Sequence, residues 1–250
     1  MGKFANDIRS TIVPEGSVAV FWAGQAGFVI KTSKNKLIAL DLYLSDCCER
    51  YFGFKRVTPY ILEPHELEFD IVISSHGHYD HFDVDSIPAL LHNNCNFVGA
   101  SDTKIECERL GIKANTTFLS LLQEVEIDGV KIKGVPCDHG ELAPDALGLW
   151  IEIDGKKIYY AGDTAFRKDI FENPAVHGAD LLIAPINGMF GNLDSTEAAD
   201  AAEILKPKLT IPCHFWNFAE HGGDPNRFIE EMKNRNLNFK LMRIGEGIII

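Results

Sequence analysis

The most constraining feature of the chain is the segment Ser75-His76-Gly77-His78-Tyr79-Asp80-His81, which places three imidazoles and one carboxylate within six residues. A helix could not aim all four at one point, because residues two apart lie on different faces. A loop leaving a strand can, and the run FDIVISS just before it reads as a strand. His76 and His78 can grip one metal while Asp80 and His81 reach a second. Neutral imidazole and carboxylate are ordinary ligands for zinc, manganese or iron. The competing reading is a solvated loop with chance histidines. The chain has only 9 histidines in 250 residues, which weighs against it.

Other metal-ligand residue types follow apolar runs in the same way. Asp41 follows KLIAL, Asp138 and His139 follow VKIKGVPC, Asp163 follows KKIYYAG, and His214 follows KLTIPC. Residues at strand ends are held by a rigid sheet, which is where layered folds carry their chemistry. Taken singly, each has an ordinary explanation. Asp163 could cap a turn or helix, and His139 or His214 could be a buried histidine satisfied by backbone. Asp138 competes with His139 for one role. Together with the His76 loop they form a constellation.

The remaining pattern places this constellation in a layered fold. SVAVFWA, GFVIKT and KLIALDLYL read as strands, as do NFVGA, TTFLS, QEVEID, VKIKGV, LGLWIEI, KKIYYAG, DLLIAPI and KLTIPC. GQAG reads as a turn, and Asp128-Gly129 and Asp154-Gly155 are hairpin signals. Helices are expected near Val84–His92, over DTKIECERLG, from Asp194-Ser-Thr-Glu197 through Leu205, and over Pro225–Asn234. Both halves run strands first, then mixed strand and helix. That order predicts an α+β fold of two packed sheets with helices outside, its two β-rich halves sharing one core. No linker divides residues 1–250, so a single domain is expected.

Charge and cysteine usage narrow the function classes. A net charge of −12 without a basic stripe argues against nucleic-acid binding. The longest apolar stretch, Val18 to Ile30, is broken by Gly24, Gln25 and Gly27 and is too short to span a bilayer, so no membrane partner is expected. The start MGKFANDIRSTIVPEG has no apolar h-region. The 6 cysteines include no C-x-x-C pair. Reduced thiols in a cytoplasmic protein are the simplest expectation. A homo-oligomer is compatible with all of this.

HGHYDH resembles the H-x-H-x-D-H signature of the metallo-β-lactamase fold superfamily, and AGDT and PCHF resemble its later ligand segments, over roughly residues 17–216. WAGQAGFVIKT, ALD, SSHGHYDHFD, YYAGDT and NGMFGNLDSTEAADAAEILKPKLTIPCHFWNF are similar, more narrowly, to metal-dependent hydrolases related to L-ascorbate-6-phosphate lactonase. The resemblance implies a four-layer αββα sandwich and two divalent metal ions, Zn2+ or Mn2+, with iron as a further candidate. It implies that His76, His78 and His139 bind one ion, that Asp80, His81 and His214 bind the other, and that Asp163 bridges them. Asp41 would orient ligands from behind. CDHGELAPDALG departs from the lactonase pattern, and Asp138 and His139 stay alternatives for the third ligand of the first ion.

The function implied is a hydrolase using a metal-activated hydroxide on a small anionic lactone or phosphoester. Asp80 would handle the water proton, and a protonated His221 would supply the leaving-group proton. Asn187, Trp216 and Arg167 are the candidates for the substrate pocket; core packing or a solvated face is the plainer reading of each. The alternatives are a thioesterase- or nuclease-type relative and a non-catalytic metal-binding or sensor module.

Overall fold

The apolar runs become the strands of two mixed sheets in the computed structural model, which describes residues 2–91, 95–113 and 115–250. The first sheet contains β1 (Val18–Gly24), β2 (Gly27–Thr32), β3 (Leu37–Leu40), β4 (Ile71–Ser74), β5 (Asn96–Ala100), β6 (Asn115–Leu119) and β13 (Gly247–Ile249), in the order β13-β1-β2-β3-β4-β5-β6. The second contains β7 (Glu124–Ile127), β8 (Val130–Val135), β9 (Gly148–Ile153), β10 (Lys156–Tyr160), β11 (Leu181–Pro185) and β12 (Leu209–Cys213), in the order β12-β11-β10-β9-β8-β7.

Each sheet is built the same way. Antiparallel hairpins come first, and parallel strands joined by longer crossovers follow: β3-β4-β5-β6 in one sheet and β10-β11-β12 in the other. The hairpins form where the sequence predicts them. Asp128-Gly129 and Asp154-Gly155 all have positive φ, the backbone that a tight two-residue turn between twisted strands requires.

Strands β1 to β4 are buried on both faces, so they read as continuous apolar runs rather than alternating ones. On one face, Ala19, Phe21, Val29 and Val72 pack under α1 (Lys3–Ser10), α2 (Cys47–Phe52), α3 (Ile87–Leu90) and α4 (Thr103–Arg109). On the other face, Val18, Val20, Trp22 and Ile38 share a cluster with Ile132, Leu149 and Ile151 of the second sheet. That cluster continues to α5 (Lys168–Phe171), α6 (Ser195–Leu205) and α7 (Pro225–Asn234). The architecture is the αββα sandwich expected.

Three local expectations change. The helix expected near Val84–His92 is only the four residues of α3, and its last expected residue lies outside the described ones. The Asp83 carboxylate accepts from the amides of Leu44, Ser45 and Asp85 and from the Ser86 hydroxyl, which ties the preceding stretch down as a turn. The run KLIALDLYL stops as a strand at Leu40, because Asp41 takes φ +46°. Helices α1, α2 and α5 have no counterpart among the expectations. Helices α6 and α7 start where their caps place them, with a full capping box of Asp194 and Glu197 on α6.

Candidate metal centre

The strand ends carry the functional side chains to one edge of the sandwich. Asp41 follows β3, His76 follows β4, His139 lies beyond β8, Asp163 beyond β10, and His214 directly follows β12. Gly162 is needed where the chain leaves β10. It has φ +66°, and a Cβ there would lie 2.8 Å from the Leu147 carbonyl oxygen.

Two clusters of three ligand types result, each with its donor atoms within 4.8 Å of one another. In the first, His78 Nδ1 lies 3.1 Å from His76 Nε2 and 3.2 Å from His139 Nε2. In the second, His214 Nε2 lies 3.1 Å from His81 Nε2 and 3.2 Å from Asp80 Oδ2. Asp163 stands between them: Oδ1 is 3.3 Å from His81 Nε2, and Oδ2 is 3.2 Å from His214 Nε2 and 3.8 Å from His139 Nε2. Of the two alternatives at 138 and 139, the imidazole faces the cluster. Asp138 turns outward to the Gly140 amide and to Arg167.

Asp41 is grouped with His76 and His81 by proximity, but its oxygens are already spent. They accept from the Ser75 amide and hydroxyl, from Tyr160 Oη and from His81 Nδ1. Its place is behind the ligands, where it selects the tautomer that leaves His81 Nε2 free toward the cluster.

The residues fit a pair of divalent cations. Ring nitrogens 3.1–3.2 Å apart bring lone pairs together with too few protons to satisfy them all. Asp163 Oδ1 is buried with no hydrogen-bond donor. The protein groups alone show the same demand for positive charge. Burial opposes the imidazolium of His81, but Asp163, Asp80 and Asp41 outweigh it and hold the pKa well above the ordinary value. His214 is likewise raised to about 9 against its own burial, chiefly by Asp163. Burial also opposes ionisation of Asp80 and Asp163, but the neighbouring histidines hold both well below the carboxylate range. His76 has no carboxylate partner of that strength, and burial together with His81 keeps it neutral. An all-nitrogen and oxygen donor set accepts zinc, manganese or iron and does not choose among them.

His78, Asp80, His139, Asp163 and His214 form the floor of a cavity of about 540 Å³. Its walls are Phe52 and Phe54 of the α2 region, Tyr79, Leu142, Phe190 and His221. His221 is buried and stacks on His214 with ring centroids 4.8 Å apart. Burial and the neighbouring His214 push its pKa down to about 4, so it is a neutral ring near pH 7 rather than the protonated one expected.

None of the three pocket candidates lines this cavity. Arg167 is half exposed and drawn outward by Asp138 and Asp169. Trp216 takes φ +62°, and its indole folds back to donate to the Gly223 carbonyl. Asn187 is buried with its amide on the Met189 carbonyl. The sequence reading missed Gln25, treated there as part of a turn. It is buried at φ +50°, and its Nε2 donates to Asp80 Oδ2 at 2.8 Å and to His221 Nδ1 at 3.0 Å. Its backbone carbonyl also accepts the His214 amide. The aromatic walls were missed too, because they come together only in the fold.

Comparison with known proteins agrees with this geometry. A family model described as a beta-lactamase superfamily domain matches residues 19–214. A UPF0173 metal-dependent hydrolase of Pelotomaculum thermopropionicum is 31% identical over 243 residues, covering 92% of this chain and 98% of the relative. One of Thermoplasma volcanium is 31% identical over 84% of this chain and 89% of its own length. A metallo hydrolase from Ignicoccus hospitalis shares the fold with a TM-score of 0.73 at 20% identity, covering 94% of this chain and 98% of that one. An isothiocyanate hydrolase from Delia radicum gut bacteria does so with a TM-score of 0.72 at 19% identity, covering 92% and 98%. The chain belongs to the beta-lactamase superfamily domain family and, within it, is related to the UPF0173 metal-dependent hydrolases.

Proposed function

We propose that the chain hydrolyses a small carboxylic ester, with a lactone as the favoured form, at a two-metal centre held by His76, His78, His139, Asp80, His81, His214 and Asp163. The observation that carries this reading is the convergence of those side chains at one place, five of them lining the floor of a cavity sized for a small molecule. Divalent cations bound there supply Lewis acidity and a nucleophilic water at neutral pH.

The remaining work falls to the chain itself. Asp41 holds His81 in one tautomer. Gln25 spends both amide hydrogens on Asp80 Oδ2 and His221 Nδ1, which steadies both side chains. With Nδ1 accepting, the proton of neutral His221 sits on Nε2, where it can hydrogen-bond an oxygen in the cavity. Asp80 is the candidate to take up a proton released during hydrolysis, at its carboxylate. The aromatic walls present apolar surface to the part of the substrate that lies above the metal centre.

The resemblance to the lactonase group supports the lactone, but its phosphate finds no counterpart: among the described residues, no lysine or arginine lines the cavity. The same feature weighs against phosphoesters and nucleic acids. The test is a panel of lactones, carboxylic esters, thioesters, phosphodiesters and benzyl isothiocyanate, assayed with zinc and then manganese. Lactone or ester turnover that stops with chelator and returns with metal is expected. Turnover of thioesters alone would move the reading to a thioesterase. No turnover with either metal would favour a metal-binding module.

A further inference from the structure

Resting on the hydrolase reading, we infer that the substrate is uncharged and carries an aryl or comparably bulky apolar substituent next to its reactive ester group. Above the metal ligands the cavity is walled by carbon. Phe54 lies 5.7 Å from Phe190 and 5.9 Å from His221, centroid to centroid. Phe52 lies 6.5 Å from Phe54 and 5.5 Å from Tyr79, so the rings run without a break from His221 around to Tyr79. Leu142 lines the cavity as well. Offset and edge-on rings at these spacings receive another flat apolar group well.

Exposure points to an absent partner of the same character. Phe52 is 57% exposed, Phe190 43% and Leu142 59%, and all three border one cavity. Scattered exposed apolar residues need no explanation, but a contiguous set around a concave site marks a ligand surface.

Away from the metal centre the lining offers an anionic substituent no counter-charge. Among the described residues, the lining holds no lysine or arginine. The arginines around α2 are engaged elsewhere: Arg50 pairs with Asp85, and Arg56 donates to the carbonyls of Tyr43 and Ser45. A carboxylate or phosphate on the far side of the substrate would lose its hydration against phenylalanine rings with nothing to replace it.

The experiment holds the electrophile constant and varies the substituent. γ-Phenyl-γ-butyrolactone and γ-carboxy-γ-butyrolactone are compared on the metal-loaded protein. The phenyl lactone is expected to show a kcat/KM about tenfold higher or more, the discrimination an apolar pocket reaches. In the double variant Phe52→Ala, Phe190→Ala that ratio should fall about tenfold, with metal content unchanged. Binding of the uncleaved γ-phenyl-γ-butyrolactam is measured by calorimetry, and pyroglutamate serves as its charged counterpart. The lactam should bind the wild type, metal-free protein included, and bind the double variant at least about tenfold more weakly, whereas pyroglutamate should not bind. If the lactam binds and no lactone opens, the hydrolase reading fails, and what stands is an apolar site for an uncharged aryl ligand. Preference for the carboxy lactone or for pyroglutamate overturns the inference and leaves the hydrolase reading intact. A wild-type dimer that the double substitution dissociates would make the rings a subunit interface and would also overturn it.

Discussion

His81 Nδ1 lies 2.6 Å from Asp41 Oδ2, and both side chains are wholly buried. This contact decides which ring nitrogen faces Asp80, Asp163 and His214. The carboxylate also collects the Ser75 amide and hydroxyl and Tyr160 Oη, so it couples the loop before His76 to the second sheet. Asp41→Asn keeps the shape but loses the charge and an acceptor oxygen. Metal affinity, read by competition with a chelator, should fall about 10- to 100-fold. Unchanged affinity would show that Asp41 serves the fold alone.

Asp163→Ala should go further. Its two oxygens face both clusters, so its loss leaves two cations without shared neutralisation across a short gap. Metal affinity should fall by more than about 100-fold, beyond the cost of a supporting residue. Hydrolysis should vanish while the circular dichroism spectrum persists, because the core cluster spans both sheets without it. A variant that still turns over normally would remove Asp163 from the bridge.

Gln25→Leu separates positioning from metal binding. The leucine nearly fills the same volume and removes the amide hydrogens shared by Asp80 and His221. The expected result is a kcat lowered about tenfold, a smaller change in KM, and a metal content equal to wild type. A kcat within about twofold of wild type would leave Gln25 as a turn residue only.

Most of the sandwich was legible because its strands are buried on both faces and bounded by turn chemistry such as Asp154-Gly155. Helix α6 was legible from its capping box. Helix α1 was not, because KFANDIRS is polar and buries only Phe4, Ala5 and Ile8. What anchors it is distant: Lys31 of β2 is buried and donates to the carbonyls of Ile8, Arg9 and Thr11. The clustered His and Asp side chains were legible because each is local to a motif or to a strand end. Arg167 and Trp216 stand out by nearness in sequence to Asp163 and His214, and Asn187 by its place just past DLLIAPI, but a side chain's direction follows from neither. The cavity walls Phe52 and Phe190 lie far apart in the chain, and no local pattern joins them.

The stability of the second sheet can be titrated without touching the site. The parallel strands β10, β11 and β12 carry Asp163 and His214 beyond their C-terminal ends; Asp180 sits at the opposite ends. It accepts from the Lys157 amide at 2.8 Å and from Lys208 Nζ at 2.7 Å, while its own amide donates to the Lys157 carbonyl. Burial raises its pKa, but Lys208 and the Lys157 amide outweigh that and hold it below the ordinary 3.8. The folded state therefore binds fewer protons than the unfolded chain just below that value, and stability falls with falling pH there. The contribution is fully present above the unfolded pKa and is lost as pH drops through the lower, folded one. Asp180→Asn should cost about 0.5–1.5 kcal/mol near pH 7, read from urea midpoints. The gap to wild type should narrow as pH falls below about 4, since the wild type then loses the same charge. Hydrolysis per folded molecule should stay at the wild-type level, because the strand ends that hold the ligands are not altered. A gap that stays constant from pH 7 down to about 3 would mean the carboxylate's charge contributes nothing and only its geometry matters.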